Sequence, residues 1–202
     1  MKRVAINGMG RIGRLTLRNL LQNSEVEVVA VNDLSDSTTI AHLFKYDTAH
    51  GIYPDIVKSD ENTLYIGDKH ISYSRIREPE QLPWKSQNID LVLECTGVFR
   101  TEEMAKKHID AGAKKVVISA PAKSGNVPFV VLGVNDKILT PELDLISNAS
   151  CTTNCLAPVV QLVNEKWGIS HGFITTTHGY TADQRLQDAP HSDLRRARAA
   201  AQ

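Results

Sequence analysis

Near its start the chain reads Gly8-Met9-Gly10-Arg11-Ile12-Gly13. A short apolar run at residues 3–7 precedes it, and apolar residues at helical spacing follow it (Ile12, Leu15, Leu20 and Leu21). A G-x-G-x-x-G in isolation says little, but between a strand and a helix it is restrictive. Its first glycine permits a tight turn, its second lets backbone approach a pyrophosphate, and its third lets the helix pack closely on the strand. The helix start adds unpaired N–H groups and a positive dipole end. A continuous apolar run follows at residues 26–31, as expected of a strand buried on both faces. Asp33 ends it, about 20 residues beyond the glycines, where a carboxylate accepts hydrogen bonds from an adenosine ribose. The same carboxylate repels a 2′-phosphate, so NAD is favoured over NADP. A packing turn and a capping aspartate would explain these residues one at a time, but not their order.

The remaining pattern continues the alternation. A short helix is expected over residues 38–44 and a hairpin over 64–74 around Gly67-Asp68. A buried strand follows at 89–93. Thr101 caps the next helix, with Glu102 and Glu103 in its first turn and Gly112 just past its end. Residues 115–118, 129–134 and 143–146 read as further strands. Strands alternating with helices predict a Rossmann-type α/β domain with a mostly parallel sheet over residues 1–148. The pattern then restarts, with a helix at 151–166 stopped by Gly168, a β-branched strand at 173–177, and a helix at 193–201. Residues 149–202 hold too little apolar material for a core of their own. They are expected to be the front of an incomplete α+β catalytic domain, and the chain alone is expected to be nearly inactive.

Formal net charge is zero, which gives no reason to expect nucleic acid or an anionic membrane surface as a partner. No apolar run approaches the roughly 20 residues that span a bilayer. Cys95, Cys151 and Cys155 are the three cysteines. An odd number without a paired framework suggests a reducing, cytoplasmic setting.

Cys151 opens the helix that follows Ser150, where the helix dipole favours a thiolate. A lone cysteine is more often a buried apolar residue. Its position at a helix start beside small hydroxyl residues favours a nucleophile here. His178 ends the strand expected at 173–177, so parallel pairing would bring both residues to one sheet edge. Cys155 lies one turn further along and reads as structural, while Cys95 sits in a buried strand. No histidine spacing suggests a metal, and none is expected. Arg195, Arg196 and Arg198 read as a solvated basic face or as a phosphate contact.

Three stretches together resemble the phosphorylating, NAD-dependent glyceraldehyde-3-phosphate dehydrogenases: residues 5–14, residues 147–155 and residues 193–198. Lys45-Tyr46-Asp47 with His50-Gly51, and Glu94-Cys95-Thr96-Gly97, are similar to the same family. The resemblance covers the whole chain and is most specific around Cys151. It implies that Arg11, Ile12, Asp33, Arg77 and Ser119, with Gly8, Gly10 and Gly13, bind NAD. It implies Cys151 as nucleophile and His178 as its activator and general base. Ser150, Thr152, Thr181 and Arg196 would contact glyceraldehyde 3-phosphate or inorganic phosphate, and the assembly would be a homotetramer. Pro190 matches NAD-preferring members, whereas Ala189 departs from the leucine usual before that proline. Erythrose-4-phosphate dehydrogenase shares most of these motifs; Asp33 and Ser119-Ala120-Pro121 argue mildly against it. An inactive NAD-binding fragment is a further alternative.

Overall fold

A computed structural model describes residues 1–201, with Gln202 outside the described residues. The chain divides into two compact units, Met1–Leu162 and Val163–Gln202.

The first unit is built on an eight-stranded sheet. Its strands in chain order are β1 (Lys2–Asn7), β2 (Val26–Asn32), β5 (Val57–Ser59), β6 (Thr63–Ile66), β7 (Lys69–Ser74), β8 (Leu91–Glu94), β9 (Lys115–Ile118) and β10 (Leu145–Ser147). The pair β3 (Tyr46–Asp47) and β4 (Gly51–Ile52) makes a separate small hairpin. Across the large sheet the order is β10-β9-β8-β1-β2-β7-β6-β5. Pairing is parallel from β10 through β7 and antiparallel from β7 to β5. The chain therefore builds outward from β1 on one side, then returns across β1 to place β8 on the other. Open α/β sheets bind ligands at the carboxyl ends of the strands where the order reverses in this way.

Both faces of the sheet are covered. Val4 and Ile6 of β1 pack with Leu17 of α1 (Arg11–Leu20) and with Ile40, Ala41 and Phe44 of α2 (Ser37–Lys45). Ala5, between them, faces the opposite core with Trp84, Val92, Ile118 and Ala105 of α3 (Glu102–Asp110). Two-sided burial is why the central strands read as unbroken apolar runs. The helix ends follow local chemistry. The Asp36 carboxylate accepts from the Thr39 N–H at 2.8 Å, and the Thr101 hydroxyl accepts from the Met104 N–H at 3.2 Å.

Three expected elements differ. Residues 129–134 form only a bridge between Phe129 and Ser147. The Asn135 side chain accepts from the Val131 N–H at 2.7 Å and donates to the Phe129 carbonyl at 2.8 Å, so local side-chain bonds replace the ladder. Residues 173–177 form no strand, and Phe173 is fully exposed. No strand among the described residues pairs with them, and a strand without a neighbour cannot satisfy its backbone. Residues 193–201 make a single 3-10 turn, Leu194–Arg196, instead of a helix. So short a segment lacks the packing that most helical stability requires. No helix among the described residues is long and apolar enough to cross a membrane.

The glycine turn joins β1 to α1 through backbone alone. A Cβ on Gly13 would lie 2.0 Å from the Gly8 carbonyl oxygen, whereas a Cβ on Gly10 would meet nothing within 4 Å. Gly13→Ala is therefore expected to destabilise the fold by about 1–3 kcal/mol, as overpacking does. Gly10→Ala, at a helix start, should cost less than about 1 kcal/mol. Thermal melting of the two variants checks this, and equal losses would show that the turn is not the tight point.

Candidate functional site

A cavity of about 280 Å³ opens at the carboxyl ends of β1, β2, β7 and β8. Gly8 and Gly10 form its glycine edge, Asp33 and Arg77 line it, and Leu34, Ile76 and Phe99 supply apolar walls. Gly8 has φ of +95°, and a Cβ there would come within 2.7 Å of the Thr96 nitrogen. The left-handed conformation and the closeness of β8 both require glycine. Gly10 leaves its side of the turn open, so a ligand can reach the start of α1 without meeting a side chain.

Asp33 does two jobs. Its Oδ2 accepts from the Met9 N–H at 2.7 Å, which ties the glycine turn to β2. Its Oδ1 accepts from the Ser35 N–H at 2.9 Å. Two backbone donors do not exhaust the roughly four acceptor sites of a carboxylate, so Asp33 retains capacity for ribose hydroxyls. These features fit a dinucleotide: an open helix start for phosphates, a half-buried carboxylate beside it, and an apolar slot suited to a base.

The structure gathers Gly8, Gly10, Asp33 and Arg77 around the cavity. Gly13 packs beneath the turn, while Arg11 and Ile12 are exposed on the first turn of α1. Ser119, after β9, donates its N–H to the Glu94 carbonyl at 3.0 Å and is not among the lining residues. Leu34, Ile76 and Phe99 line the cavity but escaped the sequence reading, and Thr96 entered it only as part of a motif, without a site role. The available signal was Thr96-Gly97, two residues beyond the end of β8.

Cys151 is the first residue of α4 (Cys151–Trp167). The tight corner before it includes Ala149 at φ of +56°, a conformation disfavoured for a side chain with a Cβ. The Ser150 hydroxyl oxygen accepts from the Thr153 N–H at 3.0 Å, so Ser150 caps the helix and leaves Cys151 at its positive end. Thr152 is half-buried in the same turn. Cys155 is exposed, which departs from the structural role expected of it. The cause is α4 itself, which has no buried residue.

His178 lies in the second unit, where its Nδ1 donates to the Gly179 carbonyl at 2.6 Å. In that unit Asp183 links two of the expected substrate contacts. Its carboxylate pairs with the Arg196 guanidinium, and its N–H donates to the Thr181 hydroxyl at 3.3 Å. Asp193 takes Arg195, whose side chain and backbone N–H together hold the carboxyl down at about 2. Asp188 takes Arg198. The basic cluster is thus neutralised within its own loop, with Arg196 held next to Thr181.

Burial pushes the Cys95 thiol up to about 12. Thiolate, the reactive form, is therefore scarce at Cys95 near neutrality and grows as pH approaches that value. Iodoacetamide is expected to label Cys151 first, Cys155 more slowly, and Cys95 last at neutral pH, with Cys95 labelling rising steeply in alkali. Mass spectrometry of the labelled peptides reads the order, and early labelling of Cys95 would contradict it.

Comparison with known proteins gives the family. Residues 2–102 match the family described as glyceraldehyde 3-phosphate dehydrogenase, NAD binding domain, and residues 150–202 match its C-terminal domain. A glyceraldehyde-3-phosphate dehydrogenase of Mycoplasma pneumoniae is 57% identical over 98% of this chain and 59% of its own length. Relatives of the same name from Thermotoga maritima and Geobacillus stearothermophilus are 53% and 52% identical. They are matched over 100% and 99% of this chain, and over 61% and 60% of their own lengths. The chain thus spans about three-fifths of the curated relatives it matches. With an NAD-binding domain at its front and the C-terminal domain's pattern behind it, the chain belongs to the glyceraldehyde 3-phosphate dehydrogenase family.

Proposed function

We propose that this chain serves the phosphorylating oxidation of D-glyceraldehyde 3-phosphate to 1,3-bisphosphoglycerate with NAD, the glycolytic reaction. The observation that carries this reading is the cavity at the strand-order reversal, with an open glycine turn and a carboxylate at its edge. The Ser150-capped helix start beneath Cys151 supplies the second half of the chemistry.

Each residue then has a task. Gly8, Gly10 and Gly13 shape the turn that admits the phosphates, and Arg11 and Ile12 flank them on α1. Asp33 holds the adenosine ribose, while Arg77 and Ser119 complete the cofactor contacts. Cys151, as thiolate, adds to the aldehyde carbon and forms a thiohemiacetal. His178 takes the hydroxyl proton as general base. Bound NAD supplies the hydride acceptor. Cys151 carries the acyl group as a thioester, and inorganic phosphate releases it as the acyl phosphate. Backbone N–H groups at the start of α4 stabilise the oxyanion. Ser150, Thr152, Thr181 and Arg196 hold the substrate phosphate or the attacking one. In this reading residues 1–148 are the NAD-binding domain and 149–202 the front of the catalytic domain. A cytoplasmic homotetramer completes the proposal, supported by the resemblance, with the odd count of three cysteines favouring a reducing compartment.

Two measurements test it. In a form extended to the length of the relatives it matches, NADH absorbance with glyceraldehyde 3-phosphate, NAD and phosphate should report turnover that falls at least about a thousandfold in Cys151→Ser. For His178→Asn the fall should be about a hundredfold or more. Erythrose 4-phosphate turned over in preference would reassign the substrate. Asp33→Ala should weaken NAD about tenfold or more by calorimetry while affecting NADP less. Equal affinity of the parent for both cofactors would remove the role given to Asp33.

A further inference from the structure

Beneath the cavity, four parallel strands end on polar residues. They are Ser74 on β7, Asn32 on β2, Asn7 on β1 and Glu94 on β8. These residues are in register: Asn32 pairs with Ser74 and Asn7, and Asn7 pairs with Glu94. Asn7, Asn32 and Glu94 are at most 4% exposed. Their side chains join across the sheet. The Ser74 hydroxyl donates to Asn32 Oδ1 at 2.9 Å, Asn32 Nδ2 donates to Asn7 Oδ1 at 2.8 Å, and Asn7 Nδ2 donates to Glu94 Oε2 at 2.7 Å.

A second arm reaches Glu94 from α3. Trp84 Nε1 lies 3.0 Å from His108 Nδ1, and His108 Nε2 lies 3.0 Å from Glu94 Oε2. An indole N–H can only donate. His108 Nδ1 must therefore accept, and its Nε2–H faces Glu94. Both arms donate toward one carboxylate. Four bonds reach it, two from side chains of β1 and α3 and two from Thr96 in the loop beyond β8.

The rung also grips the loops that form the cavity. Glu94 Oε1 accepts the Thr96 N–H at 2.8 Å and takes the Thr96 hydroxyl as well. Asn32 Oδ1 accepts the Ile76 N–H at 2.9 Å, and Asn32 Nδ2 donates to the Ile76 carbonyl at 2.8 Å. Thr96 and Ile76 face the cavity from the loops after β8 and β7.

We propose that Glu94, Asn7 and Asn32, backed by His108 and Trp84, are one positioning unit that sets the spacing between the Thr96 and Ile76 walls for the cofactor. This rests on the reading of the cavity as the NAD site. The donor direction makes the unit sensitive to a single change. In Glu94→Gln, an amide whose oxygen keeps Thr96 turns its NH2 toward two other donors, Asn7 Nδ2 and His108 Nε2. An amide flipped the other way opposes the Thr96 N–H. In the first case the buried Asn7 and His108 donors lose their acceptor, and in the second the Thr96 N–H does. Asn7→Asp together with Glu94→Gln restores the match. The carboxylate introduced on β1 accepts from Asn32 and from the new amide, the amide oxygen keeps Thr96, and His108 Nε2, 3.5 Å from the residue-7 side chain, turns its N–H from residue 94 to that carboxylate.

The test uses the full chain with two readouts. Hydrogen exchange without NAD should quicken at least about tenfold in Glu94→Gln at both the Thr96 and Ile76 amides, and the swapped pair should return it toward the parent. Calorimetric NAD affinity should fall about tenfold or more in Glu94→Gln and recover to within about threefold in the swapped pair. Faster exchange at Thr96 with Ile76 unchanged, or unaltered NAD affinity in Glu94→Gln, overturns the proposal. Should Glu94→Gln lose its cooperative melt, the swapped pair decides: near-parent affinity supports the unit, and affinity no better than that of Asn7→Asp alone overturns it. A parent chain that does not bind NAD overturns the cofactor reading and the purpose given to the rung, whatever the exchange data show.

Discussion

The approach of backbone to backbone at the middle of the sheet governs everything built around it. Gly8 sits against the start of the loop after β8, and Gly13 sits against the Gly8 carbonyl. No side chain fits at either point. That closeness lets α1 begin directly over the end of β1 and lets β8 lie beside it. The cavity is the space this geometry leaves at the reversal of strand order. Asp33 secures it by holding the Met9 N–H, so the carboxylate expected to meet a ribose also fixes the turn.

Polar groups under the cavity obey the rule that buried donors and acceptors must be paired. The strand-ending residues Asn7, Asn32 and Glu94 meet this demand by bonding one another in register. A buried carboxylate is costly unless several donors surround it. Glu94 has them from a strand, a helix and a loop, which makes it a junction between elements far apart in sequence.

Much of the first unit was legible because its signals are local. The glycine turn, the caps at Asp36 and Thr101, and the Gly67 hairpin depend on residues a few positions apart. The helix starting at Cys151 was equally legible, since Ser150 caps it whether or not the helix is packed. Residues 129–134 were misread because Asn135 competes for their backbone, and nothing in the apolar pattern announces that competition. Residues 173–177 and 193–201 carry the right propensities for strand and helix. Their fate rests on neighbours, which propensity does not supply.

The sequence by itself determined the strand–turn–helix at the front, the carboxylate that follows the second strand, and a cysteine at a capped helix start. Each is a matter of periodicity and short-range hydrogen bonding. Only the tertiary structure decided that Leu34, Ile76, Thr96 and Phe99 share one cavity, and that Ser74, Asn32, Asn7 and Glu94 form one rung. Strand order brings these residues together, and it is set by which apolar faces bury one another across long separations. A linear pattern marks a strand as buried without saying which strand lies beside it.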